Sequence, residues 1–578
     1  MTERFGCLAR FGVLCLLLAA ASGSLSRAHA QPATPSVTER LIELLVQKGV
    51  LPRAQANALL KQAEAEARGG AQQRHRQVAA GPRGKRPAAT PAAEQAAAGS
   101  AEPKLPPGTV RVTYVPQIVR DQIAAQVRNE VLQKAKNEGW AEPNQVPDWV
   151  HRITMYGDMR IRGQGDFLPQ GNIPDFVDFA TLNAGPPYDI TGSSGGPPLL
   201  DTTEDRWRVR LRARIGMRAR IDDWLSADIR IATGNDASPV STNQTLGQSG
   251  AFAKDALWLD RGFLKATPIP QVTLYAGRMP NPFWTTDLIY YDDLSFDGFA
   301  ATGRQPVWDG VAAFGSLGAF PVFNTAFNFG TTANYPSRNG WLFGVQGGAE
   351  WRITTHYTAR FAAGYFSYSN IQGKLSSPCT ILYASDTCQT DNTRMLFPSN
   401  GNTMMTIRDL VVPATNPNGP QPQYFGLASA FDILDLHGRV DIDTFDPIRV
   451  ALEAEFSDNL GFNRANVLNL GLPNGSNTVQ AGNKAWMIRG IVGTPEIAQR
   501  WDWNASLTYK YLESDSVLAA LNDPDFHLGG TNAKGFILAG NLGVARNAWV
   551  TVRWLSSNQV SGGPYSVDTV QADLNVRF

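Results

Sequence analysis

From His151 to Phe578 the chain is a succession of stretches of roughly 10–15 residues in which apolar and polar side chains alternate with period two. The last of them, "VQADLNVRF", sets Val570, Ala572, Leu574, Val576 and Phe578 on one face of a strand and Gln571, Asp573, Asn575 and Arg577 on the other. In a soluble sandwich such a terminal strand would be an exposed edge that invites mispairing. Pairing the last strand with the first removes the edge. The pattern therefore predicts an all-β fold, a closed antiparallel transmembrane β-barrel whose outer face meets lipid.

Short connections between alternating strands are predicted at residues 221–224, 267–270, 317–320, 353–356, 445–448, 494–502 and 546–549. Seven hairpins supply fourteen strands, and "RITMYGDMRIRGQ" before them and the closing strand make about sixteen. The count is open by two, because residues 424–445 can form one long strand or two. Alternating short turns and long loops, with an even strand number, is the layout of a bacterial outer-membrane barrel with short turns and both termini in the periplasm. Trp207, Trp224, Trp258, Trp351, Tyr509 and Tyr511 stand near strand ends, where aromatic girdles form.

Ahead of the barrel the texture is different. Residues 1–30 have a signal-peptide layout: Arg4 and Arg10, the apolar run "FGVLCLLLAA", then "AHA" before Gln31. That run is too short to span a bilayer as a helix, and nothing later supplies a longer one. Residues 31–67 read as a helical hairpin broken at "KGVLP", with Thr38 as N-cap. Residues 68–107, dominated by Ala, Gly, Pro, Gln and Arg, form a linker that cannot build a core. Residues 108–150 hold a third helix, with Val119, Ile123, Val127 and Val131 on one side.

Net charge of +1 argues against nucleic acid as a partner. Cys7 and Cys15 leave with the signal. Cys379 and Cys388 lie close together in a polar stretch of an exported chain, which reads as a loop disulfide, with two free thiols as the alternative.

The segment "RWRVRLRARIGMRARI" carries the most chemistry. Arg206, Arg208, Arg210, Arg212, Arg214, Arg218 and Arg220 share one face, and apolar residues share the other. A midplane arginine on the lipid face costs about 2–4 kcal/mol, so the arginines face the lumen or lie beyond the bilayer. The same rule turns Asp158, Arg160 and Arg162 inward from the first strand, and Asp228 and Arg230 inward from the third. Across the ring, Arg439, Asp441, Asp443, Arg449, Glu453 and Glu455 form a mildly acidic wall. A third long loop, residues 281–306, brings Asp287, Asp292, Asp293 and Asp297; folded into the lumen, it would set carboxylates against the basic wall and orient solutes. The alternative is salt-bridged scaffolding under a loop that merely caps the barrel.

No nucleophile elbow, phosphate-binding loop or metal-ligand spacing is present, and the histidines stand singly, so neither catalytic residues nor a cofactor or metal is expected.

Together and in order, "LIELLVQKGVLPRAQANALLKQAEAEA", "VRVTYVPQIVRDQIAAQVRNEV", "EGWAEPNQVPDWVHRITMYGDMRIRGQ", "DRWRVRLRARIGMRARI" and "LYAGRMPNPFW" resemble the bacterial "putative porin" family of outer-membrane channels. The resemblance implies a β-barrel channel with a periplasmic amino-terminal helical extension. A basic wall facing an acidic third loop also looks like the general diffusion porins, commonly homo-trimers. Phe578 looks like the terminal aromatic by which barrel-insertion machinery recognises outer-membrane proteins. The expectation is passive diffusion of small hydrophilic solutes with a leaning to anions. The alternative is a structural outer-membrane barrel whose amino-terminal helices tether it to peptidoglycan or another partner.

Overall fold

The computed structural model describes residues 148–578 apart from 193–194, 237, 328, 331–334, 384–385, 413 and 475–477. The signal, helical hairpin, linker and most of the third helix expected at 1–147 lie outside the described residues. A single turn of helix, α1 (Asp148–His151), leads into a closed antiparallel barrel of 16 strands. The first eight are β1 (Ile153–Phe167), β2 (Arg206–Arg220), β3 (Leu225–Ala232), β4 (Trp258–Ile269), β5 (Val272–Pro280), β6 (Ser295–Trp308), β7 (Val311–Phe323) and β8 (Gly340–Arg352). The rest are β9 (Tyr357–Ser369), β10 (Asp432–Phe445), β11 (Ile448–Asn459), β12 (Lys484–Gly493), β13 (Trp503–Leu512), β14 (Ala533–Ala545), β15 (Ala548–Gln559) and β16 (Ser566–Arg577).

β16 closes the ring on β1, in register from Asp158 opposite Arg577 to Phe167 opposite Asp568. Beyond the strand, the Phe578 and Gly157 backbones exchange two hydrogen bonds of 3.0 Å. A Cβ on Gly157 would lie 2.6 Å from the Phe578 ring, so only glycine admits the terminal aromatic there.

One end of the barrel has short connections and the other has eight loops, L1 to L8, at residues 168–205, 233–257, 281–294, 324–339, 370–431, 460–483, 513–532 and 560–565. The outer wall exposes Leu259, Leu264, Phe299, Leu317, Val345, Phe361, Leu452, Ile488, Leu507 and Leu538. In water so continuous an apolar band would be an aggregation surface; in hydrocarbon it is the favourable state.

Two sequence expectations change. Residues 317–320 lie inside β7, and the turn is at Asp309 and Gly310, where Gly310 takes φ +72°. Asp-Gly is the dipeptide that a tight hairpin favours; the apolar alternation running through it obscured the turn. In consequence the third loop ends at residue 294, and residues 295–306 of the expected loop are strand β6. Residues 424–445 hold one barrel strand, β10, preceded by the short extended segment Phe425–Leu427, which pairs with Met404–Thr406 in L5.

The apolar core lies inside the barrel and continues into the long loops. Phe283, Leu288, Ile289, Tyr290 and Leu294 of L3 pack with Phe296, Phe320, Leu342 and Phe366 from β6 to β9, and the cluster extends to Val517, Leu518 and Phe526 of L7. Phe283 meets Phe296, Phe320 and Phe366 edge-on at ring distances of 6.2, 6.0 and 5.0 Å. Gly344 makes room for it: a Cβ there would stand 2.4 Å from the Phe283 ring.

Candidate functional site

The register of β1 and β2 places Asp158 opposite Arg214, Arg160 opposite Arg212, Arg162 opposite Arg210, Gln164 opposite Arg208 and Asp166 opposite Arg206. All face inward, since the intervening Met159, Ile161, Val209 and Ile215 are exposed on the outer wall. Seven arginines on five adjacent rungs would repel strongly in a low dielectric, so the acids that meet them decide whether the wall stands.

Those acids come from several places. Asp166 takes Arg206 at 3.1 Å and Arg208 at 2.8 Å. Asp158 pairs with Arg212 at 2.9 Å and Arg214 at 2.7 Å. Asp573 of β16 receives two hydrogen bonds from Arg162, 2.8 and 2.9 Å, and approaches Arg160 at 4.0 Å. On the far side of β2, Asp228 pairs with Arg218 at 3.2 Å and Asp260 with Arg230. Arg220, at the rim, is exposed.

Two loops supply the rest. L3 runs from β5 across the lumen. Its Asp293 accepts from Arg214 at 2.6 Å and Arg212 at 3.3 Å. Its Asp287 meets Arg489 of β12 at 2.5 Å and Lys510 of β13 at 2.6 Å. L3 is thus bonded to both walls. Thr286 ties it again to Glu455 of β11 through its backbone N–H, at 3.0 Å, and its hydroxyl. L7 descends on the other flank, where Asp525 gathers Arg162 at 2.7 Å, Arg553 at 3.1 Å and Arg210 at 3.7 Å. The loops touch: the Tyr291 N–H donates to the Leu521 carbonyl at 2.9 Å. Asp292, beside Asp293 in L3, is exposed and has no ion pair among the described residues.

The expected acidic wall carries its own cations. Arg439 pairs with Asp441 at 2.8 Å and with Glu453 at 3.7 Å, Arg449 with Asp443, and Arg489 with Glu453 at 3.1 Å. At the foot of L3, Trp284 stacks on His437 at 3.7 Å, and the Arg360 guanidinium lies 4.0 Å over the Trp284 ring and 4.3 Å over Phe314. Among the described residues no carboxylate lies within ion-pair distance of Arg360, and Glu350 acts on it from further off.

Asp297 departs from the expectation. It lies on β6 with the parity of exposed Phe299, on the outer face, and pairs with Arg278 of β5 at 2.8 Å. The earlier turn at Gly310 makes this stretch strand, and alternation then turns Asp297 out. Cys379 and Cys388 form a disulfide within L5, with Cα atoms 5.9 Å apart. Among the described residues no cluster of His, Cys, Asp and Glu could hold a metal ion.

Sequence reasoning passed over Asp166, Asp260, Arg489, Lys510, Asp525, Arg553 and Asp573 as pairing partners. Asp573 had a signal, because it sits on the polar face of the closing strand. Asp525 had none, being one carboxylate in a loop that pattern cannot orient.

The whole is a sixteen-stranded barrel, apolar outside and charged inside, with a loop bonded across its lumen. The family model described as "Putative porin" matches residues 35–578. The chain belongs to that family. No curated protein matches it. Among solved structures, this porin-family chain is similar to the outer membrane channel DcaP of Acinetobacter baumannii, with 10% identity, TM-score 0.35, and 74% of this chain and 97% of that one covered. It is similar also to OprB of Pseudomonas putida, at 9% identity and TM-score 0.39 over 74% and 94%. A porin of Rhodopseudomonas blastica matches at 12% identity and TM-score 0.31 over 74% and 100%. None of these likenesses bears on what passes through this porin's barrel.

Proposed function

We propose that this porin-family barrel lies in the bacterial outer membrane and lets small hydrophilic solutes diffuse passively through a lumen narrowed by L3 and L7. The observation that supports the reading is the two-faced wall: apolar residues outside, and inside an arginine ladder whose Arg206 to Arg214 side chains stay 13–51% exposed. Neither a cofactor nor an energy source is part of the proposal. Its anion leaning rests on Arg160, Arg162 and the Arg206–Arg220 ladder, and the preference expected is modest because carboxylates balance most of these charges. We further propose a periplasmic amino-terminal region, insertion through recognition of Phe578, and assembly as a homo-trimer.

The test is single-channel conductance and reversal potential of the purified protein in a planar bilayer under a salt gradient. Stable openings with a modest anion preference are expected; silence from a correctly folded barrel would overturn the channel.

The apolar packing of L3, L5 and L7 inside the barrel favours a second reading, a plugged structural barrel that tethers the membrane to peptidoglycan through its amino-terminal helices. Deleting residues 37–141 separates the two. A pore keeps its conductance, whereas a tether loses its envelope phenotype.

A further inference from the structure

Residues of L1, L4 and L5 line an open cavity of ≈ 380 Å³ above the β7 end of the wall. Its floor is the apolar core itself, through Phe323, Ile371 and Met395, and Phe329 and Phe397 line it further. That volume falls in the range of small-molecule sites, which combine a mostly apolar lining with a few placed polar groups.

The polar groups here are unequal. Two arginines reach the cavity, and both lie over the Tyr424 ring, Arg394 at 4.2 Å and Arg408 at 4.8 Å. Arg408 is committed: Asp391 accepts from it twice, at 2.8 and 2.6 Å. The other carboxylate of the lining, Asp386, accepts from the backbone N–H groups of Leu382 and Tyr383 at 2.8 and 2.9 Å. Arg394 has neither ion pair nor side-chain hydrogen bond among the described residues. Stacking on Tyr424 holds its guanidinium plane and leaves its N–H edge unused.

We infer that this cavity binds a soluble amphipathic monoanion, an aryl or short alkyl carboxylate, with its apolar body against Phe323, Phe329 and Phe397 and its carboxylate on Arg394. A planar fork of N–H donors matches a carboxylate in charge and shape. The apolar floor adds affinity for the body of the ligand but none for a simple inorganic anion. Binding here requires no conduction, since the cavity is formed by the loops and the end of β7.

The full chain in lipid nanodiscs, titrated with fluorescent 1-naphthoate and, as a neutral isostere, 1-naphthalenemethanol, tests it. The wild-type protein should prefer the carboxylate. Arg394→Gln should weaken naphthoate roughly tenfold or more, the scale of a lost charge-assisted hydrogen bond, and leave the alcohol unchanged. Should Arg394→Gln loosen L5 and weaken both probes, Phe397→Asp is the second handle: it places a like charge at the cavity and should again select against naphthoate. Equal binding of the two probes to wild type, or an unchanged ratio in both variants, overturns the inference. Displacement of naphthoate by dihexanoyl phosphatidic acid at lower concentration than by octanoate would also overturn it, by assigning the same anion-plus-apolar chemistry to a lipid.

Discussion

The two walls of the lumen are both built of arginines and carboxylates, yet they are held in different ways. On the β10–β11 side the partners are local: Arg439 meets Asp441 two residues along, and Arg449 reaches back across the hairpin to Asp443. These groups keep partial contact with water, with side chains between 18 and 37% exposed. On the β1–β2 side the partners are distant. Arg162 is 1% exposed and depends on Asp573 from the last strand and Asp525 from L7. An exposed pair is worth about 0–1 kcal/mol, whereas removing one partner of a buried pair costs about 3–5 kcal/mol because a charge is stranded. Apart from Glu455, which accepts hydrogen bonds from Thr286 of L3, the first wall trims its own charge. The second uses its charge to hold loops in the lumen.

The comparison breaks most sharply at Asp525. Asp525→Ala removes the carboxylate that Arg162, Arg210 and Arg553 share and leaves Arg162 with Asp573 alone, and we expect about 3–5 kcal/mol of local destabilisation. L7 should detach, seen as new protease cleavage within residues 513–532 and as a several-fold change in conductance. If L7 stays protected, the ion pairs are not what holds it.

Asp293→Asn is expected to act next in size. It frees L3 from Arg212 and Arg214 but leaves Asp287 on Arg489 and Lys510. Conductance noise should rise while mean conductance changes less than for Asp525→Ala. Replacing Arg210, Arg212 and Arg214 together by Ser should move the reversal potential towards cation preference, in proportion to the charge that those arginines present to the solute path; an unchanged potential would make them scaffold alone.

A pH effect separates the loop cap from both walls. Asp515 of L7 is buried, and burial pushes its carboxyl up to about 6, although Thr403 and Ser514 donate hydrogen bonds to it. Below the unfolded value, about 3.9, the group is neutral in the folded and unfolded loop alike, and its contribution is fully present. As pH rises through about 6 the folded loop must hold a desolvated charge, so that contribution is lost. Amide exchange in 513–532 should therefore quicken between pH 4 and 7 beyond its intrinsic pH dependence, and Asp515→Asn should remove the excess. The smallest effect belongs to the local wall: Asp441→Asn should cost under about 1 kcal/mol and leave L3 and L7 protected.

Much of this was legible in the chain. Period-two alternation gave the strand count, the inward face of the Arg206–Arg220 ladder and the closing role of "VQADLNVRF", because a strand's two faces are fixed by parity and a charge on the lipid face is too costly to tolerate. The Asp309–Gly310 turn was also present as a signal, although continuous apolar residues on both sides masked it. With the turn expected about eight residues too late, Asp297 falls in a loop on paper, whereas it lies on the outer wall.

What the sequence could not show is where each charge finds its partner. Asp525 and Arg162 are 363 residues apart, and Asp573 and Arg162 are 411 apart. Parity says that a side chain points into the lumen; it does not say which loop will enter to meet it. An arginine ladder therefore reads as an unbalanced basic wall until the closed ring brings β16 beside β1 and lets L3 and L7 fold inward. Local alternation, enforced by lipid outside and water within, determined the barrel. Long-range closure and the penalty on unpaired charge in a confined space decided how its lumen is filled.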